Sequence, residues 1–173
     1  MTRHLLAIDD VEDDFEMILK WAVEFKRLWK EGDDVAVNFM PLDTLAVGSI
    51  YEKPSTRTRV SFEVGINRLG GYPLTLLKND IQLGKSETVG DTSQVLSRFL
   101  GAMTYRCFSH DDVTELAKYA DVPVLNALSD KHHPCQAAAD LMTIIEHCDL
   151  ASDIKVAWAV SYTHLRAHET NSH

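Results

Sequence analysis

The 173-residue chain is 45% hydrophobic and 25% charged, which gives it enough apolar material to bury a core and too little bias for a disordered tract. Its net charge of -9 excludes nucleic acid or an anionic membrane as the main partner, since both need a summed positive field, so a small anionic ligand must be met by a local group of cations. No apolar run approaches the ~20 residues that span a bilayer, Met1 to Asp10 lacks a signal pattern, and Cys107, Cys135 and Cys148 have no disulfide spacing; a soluble cytoplasmic protein with free thiols is the expectation.

Asp9 and Asp10 precede a long amphipathic helix in which Phe15, Ile18, Leu19, Ala22, Phe25 and Trp29 recur at helical spacing, and Gly32 ends it. Thr44 to Tyr51 reads as a buried strand, and a helix then runs from Ser55 to the Gly70-Gly71 pair. Tyr72 to Leu77 is a second strand and Lys78 to Glu87 an exposed loop. A helix over Asp91 to Leu100 carries Val95, Leu96 and Phe99 on one side, followed by a third strand, Ala102 to Phe108. Asp111 or Asp112 caps the next helix, Val122 to Ala127 is a fourth strand, and Pro134 opens a helix carrying Ala138, Leu141, Met142 and Ile145. Strands alternating with helices imply an α/β fold: a parallel sheet of about four strands with helices on both faces, and ligands outside the carboxyl ends of the strands. Ile154 to Val160 begins a further strand, the start of a second domain. The apolar period then fails over Ser161 to His173. The expected division is therefore residues 1–150, 151–160 and a tail over 161–173 that looks foreign to the fold.

Pro54-Ser55-Thr56-Arg57-Thr58-Arg59 falls where a strand ends and a helix starts. With Ser55 as N-cap, the first-turn amides, the helix dipole, three hydroxyls and one or two guanidiniums converge on one point, which describes an anion site, phosphate above all. A solvated cap with Arg59 paired to Glu63 fits the same spacing. His132-His133-Pro134-Cys135-Gln136 lies at another strand-to-helix turn, at the same sheet edge, where His133 and Gln136 can orient an amide-like group. A zinc site from His132, His133 and Cys135 is the rival reading and lacks a fourth ligand at useful spacing. His164 and His168 mimic a metal pair but lie in the suspect tail. Arg106, at the end of an apolar strand, either points into the ligand crevice or meets a carboxylate.

Ser55-Thr56-Arg57-Thr58-Arg59, Arg106 and His133-Pro134-Cys135-Gln136 together resemble, in order and spacing, the three carbamoyl-phosphate signatures of the aspartate and ornithine carbamoyltransferases. The resemblance runs from the first helix to Trp158. Asp80 to Thr88, with Gln82 where aspartate enzymes carry a serine, and the cysteine of His-Pro-Cys-Gln resemble the ornithine type. The resemblance implies that Ser55, Thr56, Arg57, Thr58 and Arg106 hold phosphate and that His133 and Gln136 hold the carbamoyl end. It further implies that Gln82 reaches a neighbouring subunit's site in a homotrimer.

The reaction so implied is attack by the neutral side-chain amine of ornithine on the carbamoyl carbon, giving citrulline and phosphate without metal or other cofactor, with Arg57, Arg106 and His133 as the catalytic groups. The chain departs from the family after Trp158, so the amino-acid acceptor's residues are absent and the 173 residues are expected to be inactive alone. Carbamoylation of aspartate or another amine, and a non-catalytic phosphate-binding oligomerisation module, are the alternatives.

Overall fold

The computed structural model describes residues 2–32, 34, 38–84, 86–148 and 154–157. The expected tail over 161–173, the expected end of a strand at 158–160 and Lys85 lie outside the described residues. The chain divides into two compact units, residues 1–142 and 143–173. In the second unit, residues 154–157 carry no strand assignment, so no strand begins at Ile154 among the described residues.

The amino-terminal helix is interrupted. A 3-10 turn, Ile8–Asp14, kinks at Val11 before α1, Phe15–Glu31, begins. The cause is Asp10: its carboxylate accepts from the backbone N–H groups of Leu6 and Ala7 at 2.7 and 2.8 Å, holding the chain in a tight turn rather than at a helix start. Gly32 ends α1 as expected, at φ 71°, where a side chain would be strained.

The remaining elements alternate: β1 Ala46–Tyr51, α2 Thr56–Arg68, β2 Tyr72–Leu77, α3 Val89–Ser97, β3 Ala102–Arg106, α4 His110–Tyr119, β4 Val124–Leu128 and α5 Pro134–His147. All four strands are parallel, in the order β2-β1-β3-β4. After β1 the chain moves to one side of the sheet and after β3 to the other. Right-handed crossovers therefore put α2 on one face and α3 and α4 on the opposite face, and leave a crevice between the carboxyl ends of β1 and β3.

One face of the sheet is apolar. Ile50, Met103, Tyr105, Cys107 and Val124 form one core with Val113 and Leu116 of α4. The other face is polar in its central strands, where Ser49 pairs in register with Thr104 and Tyr51 with Arg106, and all but Arg106 are buried. That stripe ends at the crevice.

Helix α3 corrects the expected packing. Of the expected side, Leu96 packs against the core while Val95 and Phe99 are exposed, at 54% and 76%, and Gly90, Thr92 and Ser93 are buried. Small residues are needed because α4 comes close: a Cβ on Gly90 would lie 2.9 Å from the Tyr119 ring, and Ser93 Oγ donates to the Leu116 carbonyl at 2.6 Å. The caps also shift, with Thr88 opening α3 and Ser109, not Asp111 or Asp112, opening α4. In each case a hydroxyl accepts the first-turn amide while the acidic residue sits inside that turn, beside the positive helix end.

Candidate functional site

Two corners and a strand end meet at the crevice. At the first corner, Ser55 is extended (φ -161°, ψ 112°), and its Oγ accepts from the Thr58 N–H at 3.3 Å, so it caps α2 as the sequence predicts. Capping leaves the Thr56 and Arg57 amides, with no acceptor inside the helix, directed outward. The Thr58 hydroxyl accepts from Ser55 Oγ at 2.8 Å and from Arg106 Nη1 at 3.3 Å. With both lone pairs engaged, its proton is free to donate to a ligand.

Arg57 is exposed and pairs with no carboxylate among the described residues. Arg59 is committed elsewhere, with its Nε 2.9 Å from Glu63. The loop before Ser55 is pinned by Glu52, whose buried carboxylate takes Lys78 Nζ at 2.8 Å and the Phe108 N–H at 2.9 Å.

The second corner follows β4. A bulge between Tyr105 and Arg106 in the ladder leaves Ala127 unpaired and sets Leu128 opposite Arg106. Leu128 sits at φ 139°, a conformation that costs a branched residue about 1–3 kcal/mol. The turn that follows closes with the Ser129 N–H donating to the His132 carbonyl at 3.0 Å, and Pro134 occupies the first position of α5, where its missing N–H is not needed.

Ser55, Arg57, Thr58, Arg106, His133 and Gln136 line one cleft of about 400 Å³, joined by Ser61, Phe62, Leu128 and Cys135. Ser61 and Phe62 were not singled out from sequence, although they lie one helical turn beyond Arg57 and Thr58 and so share their face. Thr56, by contrast, opens into a neighbouring cleft of about 500 Å³ with Lys53, Arg59 and Lys78. Gln82 is exposed on the loop after β2, where its Oε1 accepts from Ser86 Oγ at 3.3 Å, and it does not line the cleft. The Gln136 amide donates along α5 to Asp140 at 2.8 Å.

Two polar atoms of the cleft residues, Arg106 Nε and His133 Nδ1, are buried without a partner among the described residues. Burial holds the His133 pKa below its ordinary value, and the Arg106 guanidinium and, more weakly, Lys53 reinforce this against the opposing pull of Asp140. His133 is therefore a neutral imidazole at pH 7, able to donate one N–H without carrying charge. Burial also lowers the Arg106 pKa. As a guanidinium it remains a cation. Cys135 is pushed up by burial and stays a thiol, and no group of three metal-ligating side chains occurs among the described residues.

The arrangement offers a tetrahedral anion two cations, free amides and a hydroxyl proton, and presents a neutral donor to whatever is attached to that anion. Residues 3–146 match the family model described as "Aspartate/ornithine carbamoyltransferase, carbamoyl-P binding domain". The chain belongs to this family.

Ornithine carbamoyltransferase of Anoxybacillus flavithermus is 45% identical over 154 residues, 89% of this chain and 48% of that protein. Among solved structures, the ornithine carbamoyltransferase of Pyrococcus furiosus is 48% identical with a TM-score of 0.78, covering 83% of this chain and 45% of that one. The mitochondrial enzyme of Coccidioides immitis is 37% identical with a TM-score of 0.80, covering 87% and 48%. The chain thus spans about half the length of the carbamoyltransferases it matches. Among the described residues no helix is long and apolar enough to cross a membrane.

Proposed function

We propose that this chain is the carbamoyl-phosphate-binding half of an ornithine carbamoyltransferase, which transfers the carbamoyl group to the side-chain amine of ornithine and releases citrulline and phosphate. The observation that carries the reading is the cleft shared by Ser55, Arg57, Thr58, Arg106, His133 and Gln136, set at the switch point of the sheet. Its relatives, named as ornithine carbamoyltransferases, support the acceptor over aspartate. In this reading the α2 amino terminus, Arg57 and Arg106 hold the phosphate, and they stabilise it as it leaves. His133 donates to the carbamoyl oxygen as negative charge builds there. Thr58 bridges the two ends, and Gln136 orients the carbamoyl amide after turning away from Asp140.

Catalysis is then positioning plus fixed electrostatics, and no step needs a cofactor. Neutral His133 suits the role: it adds a donor at the carbonyl without a second positive charge beside Arg106. Thr56 contributes its backbone amide. Gln82 completes a neighbouring subunit's site in a cytoplasmic homotrimer serving arginine metabolism, which accounts for its position outside this chain's own cleft. The ornithine-binding residues belong to a further domain.

Two measurements test the reading. The 173-residue chain binds phosphonoacetamide, a stable phosphonate amide, weakly by calorimetry and forms no citrulline. When the chain is joined to an amino-acid-binding half, citrulline forms, and Arg57→Ala slows it by about 10²-fold, about 3 kcal/mol of transition-state stabilisation. Near-normal turnover by that variant contradicts the assignment.

A further inference from the structure

The corner after β4 is held from outside the cleft by a residue that takes no part in lining it. Asn126 is completely buried, at 0% exposure. The two N–H groups of its Nδ2 reach three acceptors, the Leu6 carbonyl at 2.8 Å, Ser129 Oγ at 3.1 Å and the His132 carbonyl at 3.2 Å, so that one N–H is shared, while its Oδ1 accepts from the Leu128 N–H at 3.0 Å. The reversed amide would set its oxygen against two carbonyl oxygens, so the orientation is determined by its partners. One side chain therefore fastens the amino-terminal segment, the bulged end of β4 and both ends of the turn that delivers His133.

The bulge and the positive φ of Leu128 need such a fastening, because neither is a conformation that a leucine adopts unaided. Ser129 completes the network: its Oγ accepts from the His132 N–H at 3.2 Å and lies 2.9 Å from His110 Nδ1. The residues held in this way, Leu128 and His133, line the cleft together with Arg106.

We propose that Asn126 is a positioning residue for the carbamoyl end of the cleft, fixing Leu128 and the turn over residues 129–132 so that the His133 ring is presented to the carbamoyl oxygen. The inference deepens the function proposed above and rests on it for the identity of the ligand. The phosphate end is built mainly on the α2 cap, with which Asn126 makes no hydrogen bond among the described residues.

The test uses the 173-residue chain with Asn126→Ala and the milder Ser129→Ala, calorimetry with inorganic phosphate and with phosphonoacetamide, and NMR titration of the His133 imidazole. Asn126→Ala loses the preference for phosphonoacetamide over phosphate by about tenfold, short of the 10²-fold that a ~1 Å misplacement can cost, while phosphate affinity stays within about twofold. The His133 midpoint rises toward its ordinary value as the ring swings away from Arg106 and Lys53 and into water, leaving Asp140 its nearest charge. Ser129→Ala moves both readouts in the same direction by less, and it decides the matter if Asn126→Ala does not fold.

Retention of preference and midpoint in the folded variants overturns the proposal. Parallel loss of both ligands also overturns it, since that marks a merely structural residue. A wild-type chain that binds neither probe contradicts the carbamoyl-phosphate reading instead, and the His133 titration then decides on its own whether Asn126 sets the ring.

Discussion

The two corners of the cleft do similar work by opposite means. The corner before α2 is local: Ser55 caps the helix it begins, and the amides that result are a property of six consecutive residues. The corner before α5 is non-local, with a bulge, a residue at positive φ and a turn held by a buried amide that also reaches Leu6, 120 positions earlier. A local corner needs only the right short sequence, whereas a non-local one needs the rest of the fold in place. The phosphate end should accordingly survive changes elsewhere that disable the carbamoyl end.

Substitutions at each corner put that contrast to the test. The largest effect is expected at Glu52, which with the Thr58–Arg106 bond ties the local corner to the rest of the sheet. Glu52→Ala removes two charge-assisted bonds and should destabilise the chain by about 3 kcal/mol in urea unfolding. A loss below about 1 kcal/mol would mean that Glu52 does not hold the first corner. Next comes backbone strain in β4: Leu128→Gly should destabilise less than Leu125→Gly by about 2 kcal/mol, because glycine relieves the positive φ at the first position only. Equal losses would mean that Leu128 is not strained. Ser55→Ala should cost about 1 kcal/mol through loss of the cap and weaken phosphate binding, with the phosphonoacetamide preference intact.

The smallest effect concerns pH. The folded-state pKa values of His133, His110 and His4 all lie below the ordinary histidine value, chiefly through burial. At these three groups the unfolded chain binds more protons than the folded one below about pH 6.5, so their contribution to stability falls as pH drops from that point toward the folded pKa values and levels off below them. His133→Gln should flatten this decline in thermal midpoints measured between about pH 7 and 5. An unchanged slope would mean that His133 titrates normally.

This contrast also explains what the sequence made legible. The four strands, their alternation with helices and the α2 cap follow from apolar runs and a short polar signature, and those features are local. The packing face of α3 is only partly legible: Leu96 meets the core as its apolar character suggests, but Gly90, Thr92 and Ser93 carry no apolar period, and only the approach of α4 makes smallness the requirement. The kink before α1 was hidden because Asp10 looks like a first-turn acid when it is in fact the acceptor for Leu6 and Ala7. Residues Ser55, Arg57, Thr58, Arg106, His133 and Gln136 were named from motifs and lie in one cleft. Asn126 is not legible in the sequence, where it is an ordinary residue near the end of a strand: three of its partners follow within six residues, but only the bulge and turn bring them to it, and only the fold brings Leu6.

In the proposed function one small ligand is gripped at both corners simultaneously. Titration of isotope-labelled chain with phosphonoacetamide, followed by NMR, addresses it directly. The backbone amides of Thr56 to Thr58, the Arg106 guanidinium and the His133 ring should shift together along one saturation curve. Shifts confined to the α2 corner, or two curves with different midpoints, would contradict it.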